Sequence, residues 1–381
     1  MKARISMTLR RRSMAICRPT SVAAALLLGA TPWALAQDSN VQVFGSLAVS
    51  VLNLSNQATG GGSRMVAGPW TAPSWGLRGS ESLGDGLNVT FRLESSVEGD
   101  SGTGGRTVLG THKTFDKASW VGIGNQTFNL TMGRQLHAGI DRIAETMDVF
   151  YANADGKLLL SVLALNATNT FGGFDTRGDQ VIKLRAQLPA GFKAGLSVAP
   201  AIAGRFGRSS SLDVGQQTAS YGVGAYLLNH HSSTTQLRQR TWGLGGNLAL
   251  GGGRVFAHYM NAEHDKSAGG ATRQSDRVLG LGVAYPVTAA LTVRAAYYQD
   301  RGSDVGGVAG RDGKRQTTAV MGDYAFSKRT SLNFGVFNNS LSGAFAADPT
   351  SLSVLGLINP ATMAISGNSM RGLAVGLNHR F

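Results

Sequence analysis

The feature that most constrains the fold of this chain is a recurring segment of about ten residues in which apolar and polar side chains alternate. Clear examples begin at Asn40, Leu87, Gln180, Ala290 and Arg371. Alternation with a period of two over this length is typical of a β-strand with two different faces. No run of about 18 apolar residues follows the first 36 residues, so the pattern predicts strands and no transmembrane helix.

The connections between these segments are of two kinds, and the two kinds alternate along the chain. The tight ones are SLGDG (82–86), GNQ (124–126), PAG (189–191), GGG (251–253), PVTAA (286–290) and SKRT (327–330). The long, polar and glycine-rich ones follow Val97, Leu136, Ile202, His264, Gly302 and Ser340. Short turns at one end of a sheet and long loops at the other are typical of a transmembrane barrel. Soluble sandwiches and jelly rolls also have many short strands, but this alternation does not favour them.

The number of strands follows from the membrane topology. Fifteen alternating segments can be placed, whereas a single-chain outer-membrane barrel has an even number of strands and both termini on one side. The missing strand is expected between Gly204 and Arg240, where SYGVGAYLL from Ser220 is one strand and its partner is not evident. The sequence therefore predicts an all-β fold, a 16-stranded antiparallel transmembrane β-barrel with short periplasmic turns and long extracellular loops.

The first 36 residues have the composition of an export signal. A basic head with six Lys and Arg residues precedes the apolar run Val22 to Ala30, and a small-residue triplet ends at Ala36. This run is far shorter than the ~20 residues that a membrane-spanning helix needs. We expect a cleaved signal over 1–36 and a barrel domain over 37–381. A twin-arginine signal and a start at Met7 or Met14 stay open as alternatives.

The charge of the exported part is lower than that of the whole chain. The full sequence has 36 basic and 22 acidic residues and a formal charge of +14. The predicted signal removes six bases and no acid, which leaves 30 bases, 22 acids and a charge of +8. The remaining bases are scattered singly, so a nucleic-acid partner is not expected. The single cysteine, Cys17, lies in the signal, so the exported part has no disulfide or thiolate metal site.

Each predicted strand has one apolar face and one mixed or charged face. In LNVTFRLES, Leu87, Val89 and Phe91 share one face, and Arg92 and Glu94 lie on the other. A charge on the lipid side of the bilayer midplane costs about 2–4 kcal/mol, so in a barrel the charged face points inward. A soluble protein would show the same alternation with the faces reversed. The export signal and the alternating connections favour the barrel.

No arrangement of residues for catalysis or metal binding is evident. The sequence has no G-x-S-x-G elbow and no H-E-x-x-H pair. Glu263, His264 and Asp265 are adjacent, so on a strand their side chains diverge, and a metal site there is not favoured. We therefore expect neither an enzyme nor a protein with a cofactor.

Five blocks in order along the chain resemble the Gram-negative general porins of the β-proteobacterial type. They are Trp75–Ser95, Asn129–Leu136, Ala290–Arg301, Tyr324–Asn339 and the terminal GLNHRF. The resemblance implies a homotrimer in the outer membrane that passes small hydrophilic solutes by diffusion. It implies contact with outer-membrane lipids and lipopolysaccharide. It also implies that the terminal Phe381 is read by the outer-membrane assembly machinery.

The resemblance further implies that the loop after GRQ folds into the barrel and narrows it. Acids on this loop would then face bases on the wall, and the opposed charges would act on permeating ions. The candidate acids are Asp141, Glu145, Asp148 and Asp155. The candidate bases are Arg78, Arg92, Arg134, Lys183 and Arg185. The segment KLLLSVLAL (157–165) is more apolar than this family pattern.

Four functions are weighed from these observations. The first is a passive channel with a mild preference for anions, from the charge of +8 and the inward bases. The second is a solute-selective channel with a binding site at the constriction. The third is a barrel enzyme, for which no catalytic group can be assembled. The fourth is a secreted soluble β-protein that acts as an adhesin.

Overall fold

A computed structural model describes residues 40–68, 70–105, 112–150, 176–201, 207–233 and 235–381. The predicted signal over 1–36 lies outside the described residues. Asp155 and the apolar segment 157–165 also lie outside them.

The described residues form seventeen strand segments that all belong to one antiparallel sheet. The first nine are β1 (Asn40–Leu54), β2 (Gly62–Ala67), β3 (Ser74–Gly84), β4 (Leu87–Ser96), β5 (Ala118–Gly124), β6 (Phe128–Leu136), β7 (Arg177–Gln187), β8 (Phe192–Ala199) and β9 (Arg208–Gln217). The others are β10 (Tyr221–His231), β11 (Arg238–Leu250), β12 (Gly253–Asp265), β13 (Arg273–Pro286), β14 (Leu291–Ser303), β15 (Gly313–Ala325), β16 (Thr330–Gly343) and β17 (Ser369–Arg380).

Two of these segments are halves of one barrel strand. Both β2 and β3 pair with β1, β2 along its second half and β3 along its first half. The chain leaves the sheet after Ala67 and returns to the same edge at Ser74. The described residues therefore form a barrel of sixteen strands, as the sequence predicts.

The barrel closes between its first and last strands. The pairing of β1 with β17 runs from Ser46 opposite Arg380 to Leu54 opposite Gly372. Phe381 extends this pairing, because its N–H donates to the Gly45 carbonyl at 3.0 Å and its carbonyl accepts from the Gly45 N–H at 3.1 Å. Closure removes the free strand edges, which hydrocarbon could not satisfy with hydrogen bonds.

The strand that the sequence could not place is β9, the partner of SYGVGAYLL. It pairs with β10 through the tight connection 218–220, and with β8 on its other edge. This adds a seventh tight connection to the six predicted. Both ends of the barrel chain, Asn40 and Phe381, lie at the same end as these turns. The two-residue turn between β3 and β4 shows the local chemistry, since Asp85 and Gly86 both have positive φ, as a type I′ hairpin turn requires.

The outer connections are less uniform than the sequence predicts. The connections 97–117, 137–176 and 344–368 are long, but 55–61, 200–207, 232–237, 266–272 and 304–312 are shorter than predicted. The reason is that the strands extend beyond ten residues, up to 15 in β1 and 14 in β13 and β16. Residues that the sequence assigns to loops therefore continue the barrel wall.

Alternation along the strands separates an apolar outer face from a varied inner face. On the outer face, Val43, Leu244 and Leu373 expose 64%, 54% and 53% of their surface in the single chain. The inner face of β12 to β17 is not mainly charged, because Met260, Val278, Met321, Phe337 and Met370 point inward there and are buried. No helix within the described residues is long and apolar enough to cross a membrane.

A charge on the outer face should therefore be costly at mid-height and tolerated at the rim. Leu281 lies at mid-height on the outer face of β13, and Ser275 lies on the same face near the outer end. We expect Leu281→Arg to lower the free energy of unfolding in lipid vesicles by about 2–4 kcal/mol, and Ser275→Arg to lower it by about 0–1 kcal/mol. Urea titration of the vesicle-embedded protein measures both. Equal losses would contradict the assignment of the lipid-facing side.

Candidate pore constriction

The segment after β6 folds into the barrel, as the family resemblance implies. It begins with helix α1 (Ala138–Arg142) and continues as one π-helical turn, Ile143–Met147. Ala138, Ile140, Ile143 and Met147 are buried against the inner wall. The segment therefore occupies part of the cross-section that water would otherwise fill.

Glycines on the inner wall make room for this segment. A Cβ at Gly215 of β9 would lie 2.9 Å from the Nε of Arg142, and one at Gly224 of β10 would lie 2.5 Å from its Cδ. A Cβ at Gly222 would lie 2.7 Å from the Cγ2 of Thr146. Any larger residue at these positions would push the helix away from the wall.

Serines of two neighbouring strands hold the start of α1. The N–H of Ala138 donates to the Ser197 hydroxyl at 3.1 Å, and the N–H of Gly139 donates to the Ser211 hydroxyl at 2.9 Å. The preceding His137 is buried, with its Nε2 3.2 Å from the Ser209 hydroxyl. Burial, reinforced by the nearby positive charge of Lys183, lowers the pKa of His137 to about 4, so this histidine is neutral at pH 7.

A buried ion pair fastens the middle of the segment. The Nε of Arg142 donates to Oδ1 of Asp213 on β9 at 3.0 Å, and both side chains are fully buried. Nη1 of Arg142 also lies 3.1 Å from Oε2 of Glu145, one turn further along. A loop base bound to a wall acid is the reverse of the predicted arrangement.

A second set of contacts joins a predicted acid to two predicted bases. Oδ2 of Asp141 accepts from Nζ of Lys183 at 2.7 Å and from Nη2 of Arg185 at 2.8 Å. Nη1 of Arg185 reaches Oδ1 of Asp213 at 2.9 Å, which links this set to the first. We call the six side chains the clamp: Asp141, Arg142, Glu145, Lys183, Arg185 and Asp213.

The clamp balances three acids against three bases. The family resemblance implies acids and bases that face each other across the pore, whereas Asp141 bonds directly to Lys183 and Arg185. The charges of these three groups therefore largely neutralise one another in the ion pairs that hold the segment against the wall. Their effect on a passing ion is correspondingly reduced.

The far end of the segment crosses to other parts of the wall. Nδ2 of Asn247 donates to the Thr146 carbonyl at 2.6 Å. The Tyr298 hydroxyl donates to Asp148, which is buried. The rings of Phe150 and Trp70 then stack with centroids 6.0 Å apart. Trp70 lies in the break between β2 and β3, so this break provides the ring against which the end of the inserted segment packs.

Two predicted bases lie on another part of the wall. Arg78 of β3 and Arg92 of β4 are directly opposite each other, and their guanidinium carbons lie 5.3 and 4.5 Å from the ring centroid of Phe44. Arg92 pairs with Glu94 at 2.7 Å, whereas the Nε of Arg78 donates to the Gln42 side chain at 3.2 Å. Neither joins the clamp.

The last predicted base, Arg134, is nearly buried in the wall near the outer end of β6. Its Nε donates to the Asp116 carbonyl at 2.6 Å, and its Nη1 lies 2.8 Å from Oδ1 of Asp179. Lys113 pairs with the same carboxylate. The structure therefore brings together Asp141, Glu145, Lys183 and Arg185, and separates them from Arg78, Arg92 and Arg134.

A second connection also folds inward, and the sequence pattern did not predict it. The connection 344–368 contains a short helix, Pro349–Leu355. Phe345, Leu352 and Leu355 are fully buried in the same apolar cluster as the inward-facing Phe337 and Met370. This connection covers the apolar inner wall of the last strands and keeps it from water.

Sequence reasoning missed the two residues that matter most in the clamp, Arg142 and Asp213. Asp213 lies on the one strand that could not be placed, so its inward direction was unknown. Arg142 is a base on a loop for which only acids were considered. The inward parity of RSSSLDVGQQ (208–217), once recognised as a strand, is the signal that could have identified Asp213.

Of the adjacent Glu263, His264 and Asp265, the two acids share the outer face of β12 and the histidine lies on the opposite face. His264 points inward, where its Nε2 lies 3.0 Å from Oδ2 of Asp276. Asp265 points outward and pairs with Arg238 at 3.1 Å. Within the part of the chain that the structure describes, no group of three or more His, Cys, Asp or Glu side chains could hold a metal ion.

Comparison with known proteins identifies the family. The family model described as Gram-negative porin matches residues 21–344. The chain belongs to the Gram-negative porin family. It is an outer-membrane channel protein with a closed barrel, and the resemblance noted in the sequence is confirmed.

Relatives of known structure or curated sequence agree with this porin fold. Outer membrane porin protein 32 of Delftia acidovorans is 24% identical over 378 residues, which cover 95% of this chain and 99% of that protein. The anion-selective porin from Comamonas acidovorans has a TM-score of 0.73 at 20% identity, covering 90% of this chain and all of that one. The trimer form of OmpT from Vibrio cholerae has a TM-score of 0.66 at 12% identity, covering 90% of this porin and 99% of OmpT.

The buried ion pair between Arg142 and Asp213 predicts that Asp213→Asn will loosen the inserted segment. Asp213→Asn leaves Arg142 and Arg185 without a shared carboxylate in a buried place, and breaking such a pair costs about 3–5 kcal/mol. We expect faster hydrogen exchange at residues 138–147 and noisier single-channel current. The barrel should still fold, because its strand pairing is untouched.

A matched control removes another inward acid that does not touch the segment. Asp323 of β15 lies 3.9 Å from Arg294, a loose pair. Asp323→Asn should change the charge equally but leave exchange at 138–147 unchanged. Equal exchange in both variants and the wild type would contradict a clamp.

Proposed function

We propose that the mature porin, from residue 37 onward, is a water-filled channel for passive diffusion of small hydrophilic solutes, with a mild preference for anions. The observation that carries the preference is the charge of the open inner wall. Acids on the described inner wall are mostly held in ion pairs, whereas several inward bases are exposed. Permeating anions therefore meet positive charge in water-filled surroundings.

The exposed bases lie toward the end with the tight turns. Arg78, Lys193 and Arg380 point inward and are exposed. In contrast, Asp141, Asp213 and Glu94 each bond to an arginine or lysine. The likeness to a protein described as an anion-selective porin supports the same preference.

The wider setting is part of the proposal. The family supports the outer membrane as the location, and a cleaved signal over 1–36 is the matching route of export. The likeness to a trimer form of another porin supports a homotrimer. Outer-membrane lipids, lipopolysaccharide and the outer-membrane assembly machinery are the partners that this setting requires, and no cofactor and no catalytic activity are proposed.

A second candidate is a channel that binds one class of anionic solute. The observation that favours it is the ring of Phe44 with the guanidinium groups of Arg78 and Arg92 around it. An aromatic face beside two cations suits a solute with an anionic group and an apolar part. Saturable block of single-channel current by such a solute would favour this candidate over simple diffusion.

The anion preference predicts the sign of a reversal potential. In planar bilayers with a tenfold gradient of potassium chloride, we expect the wild type to show the sign for chloride preference. Arg78→Gln/Arg92→Gln should reduce the chloride-to-potassium permeability ratio about twofold or more, because two inward bases are lost.

The control for this measurement removes two bases from an exposed tight turn. Lys328→Gln/Arg329→Gln should leave the ratio nearly unchanged, since charges more than ~8–10 Å from the ion path are screened. A wild type that prefers potassium would overturn the proposed preference. An unchanged ratio in Arg78→Gln/Arg92→Gln would exclude those two residues from setting it.

Loss of the last residue, Phe381, is expected to impair assembly of the barrel and not conduction through it. The Phe381 ring lies against Gly45 at the barrel seam, and its backbone extends the pairing of β1 with β17. Deleting Phe381 should reduce the heat-modifiable trimer in outer-membrane fractions at least fivefold, while channels that do assemble keep their conductance. Phe381→Ala keeps the backbone bonds, so it separates loss of the ring from loss of the pairing. Normal trimer levels in both variants would contradict a role in assembly.

A further inference from the structure

A pocket of about 510 Å³ lies on the inner wall, between the inserted segment and the tight turns. Strands β11 to β14 and the glycine turn 251–253 surround it. We call it the arginine pocket; its inward side chains are Arg254, Phe256, Ala284, Pro286, Thr292 and Arg294. None of these residues belongs to the clamp, so the pocket is a separate feature of the lumen.

The strand register places the two arginines on either side of an alanine. Arg254 of β12 is directly opposite Ala284 of β13, and Ala284 is directly opposite Arg294 of β14. Two strand spacings put the backbones of the arginines about 10 Å apart, and the small alanine between them leaves room above the wall. Phe256 shares the face of Arg254 and is buried in the inner apolar cluster, so these side chains all face the lumen.

The inserted segment lies next to this pocket. Two residues further from the tight turns than Arg254, Phe256 is directly opposite Gly282. A Cβ at Gly282 would lie 2.7 Å from Cγ1 of Val149, so Val149 of the inserted segment packs on the wall there. Two residues of a strand span about 7 Å. A solute held between the arginines is therefore adjacent to the segment as well as to the wall.

Hydrogen bonds also link the pocket to the segment. Arg254 donates through Nη1 to Oδ1 of Asn247 and through Nη2 to the Ala219 carbonyl. Nδ2 of Asn247 donates to the Gln217 side chain at 3.0 Å and to the Thr146 carbonyl at 2.6 Å. One side chain, Asn247, thus joins a pocket arginine to the inserted segment.

The pocket has more positive than negative charge around it. Within the part of the chain that the structure describes, no acid forms an ion pair with Arg254, and its two hydrogen bonds leave other N–H groups for a ligand. Asp323 lies 3.9 Å from Arg294, too far for a hydrogen bond. Both arginines are half-buried, where charges interact more strongly than in bulk water. The arginines suit an anionic group, and the apolar side chains between them suit a small apolar body.

We propose that the arginine pocket binds a small carboxylate with an apolar body, and that the bound anion holds the inserted segment against the wall. The carboxylate accepts hydrogen bonds from Arg254 and Arg294, and the apolar body lies against Ala284 and Pro286. The site is complete only while the segment is in place, so the ligand stabilises that position by mass action. The inference rests on the proposed function, since the solute reaches the pocket through the open channel.

The test uses the full mature porin at pH 7, with benzoate, benzamide and acetate as probes. Benzamide has the shape of benzoate without its charge, and acetate has the charge without the ring. Hydrogen exchange measures how firmly residues 143–149 are held, and planar-bilayer recording measures the chloride current. We expect saturating benzoate to slow this exchange at least threefold and to reduce the current saturably, whereas benzamide does neither. Acetate should require at least fivefold higher concentrations than benzoate.

Two variants separate binding from the hydrogen bonds that hold the segment. Ala284→Leu fills the space between the arginines but removes no charge and no hydrogen bond. It should leave exchange without a ligand unchanged and raise the half-saturating concentration of benzoate at least fivefold. Arg254→Gln removes a cation and its bond to Asn247, so it should weaken benzoate binding and also speed exchange without a ligand. The control Lys328→Gln/Arg329→Gln should match the wild type in both measurements.

A variant with the opposite effect tests the charge of the pocket. Asp323→Asn removes the acid beside Arg294, so it should lower the half-saturating concentration of benzoate at least twofold. Damage to the structure would only raise this concentration. An equal or higher value in Asp323→Asn than in the wild type would contradict the role of Arg294.

Equal effects of benzoate and benzamide would overturn the proposal. So would benzoate saturation that is the same in the wild type, Arg254→Gln and Ala284→Leu. Saturation that is lost only in Arg78→Gln/Arg92→Gln would assign the site to the ring of Phe44 and also overturn it. A channel that prefers chloride but does not respond to benzoate would refute the pocket alone, whereas lack of a channel would refute the proposed function.

Discussion

The constraint on which this structure depends is that lipid offers no hydrogen bond to the backbone. Every N–H and C=O within the membrane must be paired by the barrel itself, so the sheet has to close. Closure is made by β1 and β17, and the last residue extends it through two hydrogen bonds between Phe381 and Gly45. The even strand number, the shared side of the two ends and the apolar outer face all follow from this requirement.

Once the wall is closed, the inner side chains decide how much of the lumen stays open. Glycines of the wall leave room for the inserted segment, and serines and the clamp hold it there. Within the clamp, Asp213 bonds both Arg142 and Arg185. Because the clamp is charge-balanced, its acids do little to repel anions. In the proposed channel, ion selectivity then depends on bases that remain exposed to water, such as Arg78 and Lys193. The acids of the inner wall are mostly held in ion pairs, and several bases outside the clamp remain exposed, so the open lumen carries a net positive charge.

Much of the fold could be predicted because a strand's two faces meet different solvents, which leaves a period of two in the sequence. That signal is strong in LNVTFRLES, where apolar and charged residues alternate. It is weak in RSSSLDVGQQ, since the inward positions hold serines and Asp213, and the outward ones hold few apolar residues. The candidate site was predicted in part for the same reason. Lys183 and Arg185 share a clear inward parity, but a contact between Arg142 and Asp213, 71 residues apart, depends on the register of strands that local pattern does not specify.

By itself the sequence determined the all-β barrel, the number of strands, the lipid-facing residues and the family, because these depend on local alternation, turn chemistry and motifs in order. The tertiary structure alone decided which charges are paired and which remain free. It shows that Asp141 bonds directly to Lys183 and Arg185, where the resemblance implied that acids and bases face each other. It also shows that Arg78 and Arg92 lie apart from the clamp. Ion pairing depends on distances of a few ångströms between distant parts of the chain, and only the closed and registered barrel sets those distances.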